Sequence, residues 1–402
     1  MENITLDGSL MDELGPEEVI IIRDPAIDLR GFLVIDNSRY GIPMGSIRIA
    51  PDLVLNEIIR LARSMSLKAA SFKIPLGGAS AGLIFDPKSE KKSLYIGSFG
   101  EELKPMIKQD IFYPEPGLGS TDKDIEHIFK LSGRPELIPR KIGIFKYDIP
   151  LKKTYIGVSV SYCIKTICSK LKNIKGYESF GEWNKPIKVL LEGFGRAGRE
   201  IARHLKQFGY QLLGISTLGG AIFDEDGLNI DQLLELKKKY GDGLVNHYES
   251  KNLVSLSREK LFELSSDYSV DFLIPGARPN VINKDNIDKI KPKAIVSASR
   301  IPYEVGITKE LNEAEILAFP DFISSSGDIL AFSTRKKTKT DSVNIEEHIQ
   351  SQISEITLDI LQEASQNNIS PYEFAQNRAE KELKKKLERR IEHRKKLKDL
   401  LE

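Results

Sequence analysis

A glycine-rich turn between a predicted strand and a predicted helix places the strongest constraint on the fold of this chain of 402 residues. The apolar run Ile187-Lys-Val-Leu-Leu191 precedes the turn Gly193-Phe-Gly-Arg-Ala-Gly198, and apolar residues at helical spacing follow it as far as Leu205. A second apolar run, Leu212-Leu-Gly-Ile-Ser216, completes a β-α-β unit. Because the turn opens the helix, its N–H groups would lie at the positive end of the helix dipole, where phosphate groups bind favourably.

Later apolar runs extend the alternation of strands and helices. They are Asp271-Phe-Leu-Ile-Pro275, Ala294-Ile-Val-Ser297 and Glu315-Ile-Leu-Ala-Phe319, separated by segments compatible with helices. Such alternation favours a parallel sheet, so the predicted fold class is α/β with a doubly wound sheet. A chain of 402 residues also exceeds the size of one ordinary hydrophobic core, and two domains are expected.

A second glycine-rich stretch, Lys68-Ala-Ala-Ser-Phe-Lys-Ile-Pro-Leu-Gly-Gly-Ala-Ser-Ala-Gly82, lies in the N-terminal part of the chain. A helical pattern runs from Pro51 to Leu67 and carries the chain into Lys68. We predict a short strand after the helix and then a turn over residues 77–82. Glycines in such a turn add no side chain, so the backbone can approach a ligand closely.

Composition and charge argue against several classes of protein. The 59 basic residues nearly balance the 58 acidic residues, which gives no overall field that would attract nucleic acid or an acidic membrane. No signal-peptide pattern or stretch of about 20 apolar residues is found, and a cytoplasmic protein is expected. Cys163 and Cys168 are predicted to be small buried hydrophobic residues. No metal site is predicted, because no cluster of metal-ligating residues has a recognisable spacing.

Several landmarks, taken in their order along the chain, resemble the glutamate/leucine/phenylalanine/valine dehydrogenase family, with glutamate dehydrogenase as the nearest pattern. The resemblance covers roughly residues 41–327. Its landmarks are Lys68, Pro75-Leu-Gly-Gly78, Asp86-Pro87, the Gly193–Gly198 motif, Gly220-Ala-Ile-Phe-Asp-Glu-Asp-Gly-Leu228, Ile274-Pro-Gly-Ala277, Asn280-Val-Ile282 and Phe319-Pro-Asp321.

This resemblance implies a domain organisation and an activity. Residues 1–148 would form an α/β substrate and oligomerisation domain, and residues 149–334 a Rossmann-like NAD(P)-binding domain. Residues 335–402 would form C-terminal helices that pack on the first domain. Family members deaminate L-amino acids oxidatively to 2-oxo acids with NAD or NADP, in a cleft between the domains, and assemble as homo-oligomers.

The resemblance also identifies two replaced catalytic positions. Lys68 matches the lysine that binds the substrate carboxylate. The catalytic lysine would follow twelve residues later, at a position that Ser80 occupies here. The proton-shuttling aspartate aligns with Gly117, in a predicted loop over residues 110–120. Neither a serine hydroxyl nor a glycine has the acid–base capacity of the groups they replace.

Cofactor contacts implied by the resemblance fall on residues that are partly altered. Arg300 stands where the family has an asparagine that faces the nicotinamide. The end of the second strand of the β-α-β unit, where an acid would hold the ribose, reads Ser216-Thr217-Leu218, so the sequence leaves NAD and NADP open. The implied cofactor-binding residues are Gly193, Gly195, Gly198, Thr217, Thr154 and Arg300.

Three functions fit these observations. The first is a diverged dehydrogenase homologue that has lost the deamination chemistry and acts as a regulatory or structural partner of an active paralogous subunit, or as a nucleotide or metabolite sensor. The second is an active NAD(P)-dependent oxidoreductase with a rearranged site, in which Arg300 and Lys68 supply cations and Glu115 or Lys73 supplies the acid–base group. The third is an oligomeric scaffold. An amino acid, a 2-oxo acid or a dinucleotide is the expected ligand of the first two.

Overall fold

The computed structural model describes residues 6–137, 154–178, 180–337 and 345–399. These residues form two compact units. The first unit combines the described residues up to 137 with those from 377 onward, and the second runs from 154 to 376. The predicted boundary between residues 148 and 149 lies outside the described residues.

The first unit contains a five-stranded sheet with the order β1-β2-β4-β3-β5. Strand β2 pairs antiparallel with β1 and β4, whereas β3 pairs parallel with β4 and β5. The strands are β1 (Glu18–Asp24), β2 (Leu29–Asn37), β3 (Ile42–Ile49), β4 (Leu76–Leu83) and β5 (Tyr113–Pro116). The helices that begin in this part of the chain are α1 (Leu55–Ser71), α2 (Lys92–Lys108) and α3 (Asp122–Leu131).

The glycine-rich stretch of the first unit is a strand and not the turn predicted from the sequence. Residues 77–82 lie within β4, all of whose residues are buried. Close packing of α1 explains the glycines, because a Cβ added to Gly78 would lie 2.5 Å from the carbonyl oxygen of Ala62. The turn comes earlier, at Lys73, which has a φ of 52°.

The segment 110–120 also differs from the predicted loop, since it contains the short edge strand β5. Hydrogen bonding to β3 forms this strand despite the two prolines at residues 114 and 116. Prolines are tolerated on an edge strand, where one side needs no partner. The sequence Thr121-Asp-Lys-Asp124 is typical of a helix start, and α3 begins there with Thr121 as its N-cap in a capping box with Asp124.

A seven-stranded sheet with the order β12-β11-β10-β6-β7-β8-β9 forms the centre of the second unit. The predicted β-α-β unit and the three later parallel strands are confirmed. Two antiparallel strands at the β9 edge were not predicted. The strands are β6 (Lys188–Leu191), β7 (Gln211–Thr217), β8 (Gly220–Phe223), β9 (Val254–Leu256), β10 (Phe272–Ile274), β11 (Ala294–Val296) and β12 (Leu317–Phe319).

Eight helices that the structure describes begin after residue 154. They are α4 (Ile156–Lys170), α5 (Arg196–Gln207), α6 (Ile230–Tyr240), α7 (Ile307–Glu313), α8 (Asp321–Ser324), α9 (Gly327–Lys337), α10 (Ile345–Gln366) and α11 (Pro371–Asp399). Within the described ranges, no helix has the length and apolar character needed to cross a membrane.

The C-terminal segment differs from the expected group of helices on the first domain. Helix α9 runs through the predicted boundary at residues 334 and 335, and α10 packs on α4 within the second unit. Burial explains this placement, because Ile349, Ile353 and Ile360 on one face of α10 are completely buried. Only the part of α11 from residue 377 belongs to the first unit.

Candidate functional site

Lys68 lies in the last turn of α1 and is 7% exposed. Two other residues of α1 bind the buried carboxylate of Asp36, which lies in strand β2, and so hold the helix against the sheet. The Ser66 hydroxyl donates to Asp36 at 2.5 Å, and Arg63 Nε donates to it at 2.9 Å. Burial raises the pKa of the Asp36 carboxyl, while the charge of Arg63 opposes that shift. The helix that carries Lys68 is therefore anchored by a charged and hydrogen-bonded contact.

Ser80 lies in the middle of β4 and is completely buried. Residues two apart on a strand share a face, and added Cβ atoms on Gly78 and Gly82 would meet α1, so Ser80 also faces this helix. Its hydroxyl donates to the backbone carbonyl of Ser46 at 3.1 Å. Ser80, which the sequence resemblance aligns with the family's catalytic lysine, is thus a neutral, buried side chain whose hydrogen is already donated to the backbone.

Gly117 follows β5 and packs directly on β3. An added Cβ would lie 2.7 Å from the carbonyl oxygen of Ile47 and 2.9 Å from Ser46 Cβ. The Ser120 hydroxyl closes the loop, since it donates to Ile47 O at 2.7 Å and accepts from Gly117 N at 2.7 Å. A carboxylate side chain at Gly117 would therefore require the strand or the loop to move.

The two alternative acid–base residues have different surroundings. Lys73 is exposed in the turn after α1 and has a left-handed backbone conformation. Glu115 is partly buried in β5 and pairs with Ser46 in β3. Because Ser46 also accepts the hydrogen bond from Ser80, Glu115 and Ser80 lie at the same level of the sheet on either side of β3.

The glycine motif of the second unit forms a tight turn between β6 and α5. Gly193 has a φ of 85°, a conformation that favours glycine. An added Cβ on Gly198 would lie 2.0 Å from the carbonyl oxygen of Gly193, whereas one on Gly195 would meet no described heavy atom within 4 Å. Gly198 is therefore needed for packing, and Gly195 leaves open space above the turn.

Gly195 is also the N-cap of α5, and no side chain of the described residues caps the first turn of this helix. The first N–H groups of a helix have no partner within the helix. Together with the open space at Gly195, they fit the pyrophosphate of a dinucleotide.

Thr217, the predicted ribose contact, ends strand β7. Its hydroxyl donates to the carbonyl oxygen of Asp242 at 2.7 Å and accepts from Gly219 N at 3.0 Å. The Asp242 carboxylate forms an ion pair with Lys237. Sequence reasoning missed Asp242, because it lies 25 residues after Thr217 and only the folded chain brings the two together.

Thr154, another predicted cofactor residue, precedes α4. Its hydroxyl lies 3.1 and 3.2 Å from the two carboxylate oxygens of Asp328, and Tyr155 N donates to the same carboxylate at 2.6 Å. Sequence reasoning did not place Asp328 beside Thr154, because the two lie 174 residues apart in the chain. Asp328 thus orients the Thr154 hydroxyl and accepts from the backbone N–H of the residue before α4.

Glu192 and Arg278 are a further pair that sequence reasoning missed. Glu192 follows β6, and its nearly buried carboxylate accepts Arg278 Nε at 2.6 Å. The same carboxylate lies 3.2 to 3.4 Å from the backbone nitrogens of residues 276–278, which follow β10. The sheet order reverses between β6 and β10, and ligands of such sheets bind at this reversal.

Arg300 is partly exposed beyond the carboxyl end of β11. Two serines before it form a compact turn: the Ser297 hydroxyl donates to Pro275 O at 3.0 Å and accepts from Ser299 N at 3.1 Å. The residues predicted for cofactor binding in this unit therefore lie after β6, β7 and β11 or at the starts of α4 and α5. The structure places Lys68, Ser80 and Gly117 in the first unit.

A parallel sheet with a glycine turn at the start of a helix defines a Rossmann-like α/β protein. The sequence profile for the glutamate/leucine/phenylalanine/valine dehydrogenases matches residues 151–390, and the profile for the dimerisation domain of these enzymes matches residues 16–132. The chain belongs to this family.

Two curated relatives are equally similar in sequence to this chain. The NADP-specific glutamate dehydrogenase of Saccharolobus shibatae is 27% identical over 309 residues, which cover 73% of this chain and 67% of that protein. The NAD-specific glutamate dehydrogenase of Staphylococcus aureus is also 27% identical over 309 residues, with coverages of 74% and 70%.

Solved structures show the same fold. The hetero-hexameric glutamate dehydrogenase of Thermus thermophilus, in a Leu-bound form, superposes with a TM-score of 0.75 at 18% identity, covering 96% of this chain and 92% of that one. The L-tryptophan dehydrogenase of Nostoc punctiforme has a TM-score of 0.58 at 19% identity, with coverages of 93% and 97%.

Proposed function

We propose that this chain is an NAD(P)-binding member of the family that has lost amino-acid deamination and acts as a regulatory subunit beside an active paralogue. The observation that carries the proposal is the environment of Ser80. A lysine that activates water needs a lowered pKa and access to substrate. The serine at this position is buried beneath α1 and bonded to Ser46.

Gly117 supports the loss independently. An aspartate there would place its Cβ 2.7 Å from Ile47 O, so the loop after β5 fits a glycine and not the larger residue. The surroundings of both Ser80 and Gly117 therefore support the proposed loss.

The glycine motif supports dinucleotide binding. In the curated relatives, NAD or NADP is the named cofactor. A bound dinucleotide supplies hydride transfer in such enzymes. In this chain, the first turn of α5 would hold the pyrophosphate, and the open space at Gly195 would admit it. Thr217 would lie beside the ribose with its hydroxyl still bonded to Asp242 O and Gly219 N, and Thr154 and Arg300 would lie on the nicotinamide side.

Two observations support an assembly with other subunits. Residues 16–132 match the profile for the dimerisation domain of the family. The Thermus thermophilus relative is a hetero-hexamer whose structure contains leucine. A subunit that binds ligands without turnover fits such an assembly, because ligand binding can shift the state of a neighbouring active subunit. A cytoplasmic location agrees with this role.

Steady-state assays test the loss of catalysis. We expect the purified chain, with NAD or NADP and L-glutamate, leucine, valine or phenylalanine, to turn over far below the usual enzyme range of about 1–1000 per second. Calorimetry with NADH and NADPH should show binding to the same preparation. Turnover within the usual range would refute the loss of catalysis, and absence of dinucleotide binding would refute the NAD(P)-binding part of the proposal.

Co-expression tests the regulatory role. The chain should co-assemble with the active glutamate dehydrogenase of its own organism, and native mass spectrometry should show mixed oligomers. The mixed oligomer should differ from the active subunit alone in its response to added amino acids. Formation of homo-oligomers only would contradict the hetero-oligomeric role.

A second candidate function rests on Glu115. Its position at the level of Ser80 across β3 leaves an acid in the same region of the sheet. An active oxidoreductase with a rearranged site would use this carboxylate for proton transfer. In that case the chain should turn over a substrate other than the four amino acids tested above. This turnover should fall by about tenfold or more in the Glu115→Gln variant.

A further inference from the structure

A strained backbone follows Arg300 in the second unit. Ile301 has a φ of 49°, although it is β-branched and buried. This conformation is costly for a β-branched residue. Such strain persists only where the surrounding structure holds the backbone in place, and it concentrates at ligand-binding segments.

A buried carboxylate holds Ile301 in this conformation. Asp321 is 1% exposed, and one of its oxygens accepts Ile301 N at 3.0 Å. Its other oxygen accepts the Tyr372 hydroxyl at 3.2 Å. On the other side, Ile301 O accepts Asn280 N at 3.0 Å. Both polar groups of the strained residue are therefore bonded to well-packed parts of the second unit.

Packing around Tyr372 stiffens this arrangement. Its ring meets Tyr303 and Phe322 edge to face, with centroids 5.6 and 5.8 Å apart. Edge-to-face contacts between buried aromatic rings are stabilising. Helix α11 thus contributes, through its first turn, to the support of the segment that carries Arg300.

We propose that Asp321 is a positioning residue that, through the left-handed Ile301, presents the Arg300 guanidinium as the recognition group for an oxyanion of the bound ligand. A guanidinium offers several donors in a fixed plane and suits phosphate and carboxylate oxygens. Because Arg300 follows the carboxyl end of a parallel strand, it lies at the edge of the sheet where ligands of such folds bind. The inference rests on the proposed ligand binding by the second unit.

The oxyanion has two sources, a phosphate of the dinucleotide or a carboxylate of a 2-oxo acid. Calorimetry with NADH, NADPH and 2-oxoglutarate separates them, because the affinity that Arg300→Leu lowers identifies the source. We expect a loss of at least about tenfold for one of these probes. Arg300→Lys should recover part of the affinity, since it keeps the charge without the planar fork.

A double-mutant cycle tests the positioning role of Asp321. Asp321→Asn should weaken the same probe by about three- to tenfold, but should have no further effect in the Arg300→Leu background. The matched control is Tyr303→Phe, which removes a neighbouring buried hydroxyl that donates to Phe319 O but keeps the aromatic ring against Tyr372. If Asp321→Asn weakened probe binding equally in the wild-type and Arg300→Leu proteins, the role of Asp321 would be merely structural and the positioning role would be overturned.

The outcomes separate this inference from the proposed function. Binding of dinucleotides that Arg300→Leu leaves unchanged, together with unchanged or absent binding of 2-oxoglutarate, overturns the inference and leaves the function standing. Binding of 2-oxoglutarate alone, weakened by Arg300→Leu, supports the inference while dinucleotide binding fails. Absence of binding by all three probes overturns both.

Discussion

The two glycine-rich segments of this chain have opposite structural roles. In β4 of the first unit, the glycines let α1 pack against the sheet, and the strand is completely covered. In the turn before α5 of the second unit, Gly195 leaves space that the described residues do not fill. Glycine thus allows a helix to cover the strand in the first unit, whereas it leaves unfilled space beside the turn in the second unit.

This difference connects the fold to the proposed loss of catalysis. A framework glycine continues to be needed for packing after an active site is lost, because α1 would collide with any Cβ at Gly78. A catalytic lysine has no such packing role, and the serine in its place is stabilised by burial and by its bond to Ser46. If this difference is real, a larger residue at Ser80 should destabilise the protein, whereas a small addition at Gly195 should be tolerated by the fold.

The largest effect is expected from Ser80→Lys. The site is completely buried, and an ammonium group there would be desolvated and would have to displace the packed neighbours, which costs about 4 kcal/mol or more. Urea denaturation should show a much lower midpoint. Ser80→Ala is the control, and its cost should be about 1 kcal/mol for the lost hydrogen bond. Normal stability of the lysine variant would show that the region is open.

Gly198→Val should have the next largest effect. Its Cβ would lie 2.0 Å from Gly193 O, so the turn must distort. We expect a loss of stability of about 2–3 kcal/mol, typical of steric overlap in a packed site, together with loss of NADH and NADPH binding. Denaturation and calorimetry on the same preparation measure both. Unchanged binding would mean that the turn is not the dinucleotide site.

Gly195→Ala should separate binding from stability. The added methyl group has room in the protein, and an N-cap glycine replaced by alanine costs less than about 1 kcal/mol. The same methyl group would obstruct the pyrophosphate, so affinity for NADH or NADPH should fall by about tenfold or more. Equal affinities of variant and wild type would contradict the assignment of this open space to the cofactor.

The smallest effect on binding is expected from Thr217→Val. The Thr217 hydroxyl is already bonded to Asp242 O and Gly219 N. Dinucleotide affinity should change by less than about twofold, or ~0.4 kcal/mol, while stability should fall by about 1 kcal/mol. A large loss of affinity in calorimetry would show that the hydroxyl leaves Asp242 to bind the ribose.

Local sequence patterns were sufficient for the β-α-β unit, the parallel strands and the cap at Thr121. Each of these depends on residues close together in the chain, namely the spacing of apolar residues, a glycine turn and a capping box. The turn predicted at residues 77–82 was wrong, because glycines occur both in turns and in strands that another element approaches closely. Only the presence of α1 distinguishes the two cases.

The sequence was enough to predict the family, and to align Ser80 and Gly117 with positions where a lysine and an aspartate would act. These are statements about residue identity and order. The tertiary structure decided whether the replaced positions have room for the missing groups, because space depends on neighbours such as Ala62, Ser46 and Ile47 from other elements. It also brought Asp321 and Tyr372 to Ile301. The donors to the buried carboxylate of Asp321 are distant in the sequence, so no local pattern predicts them.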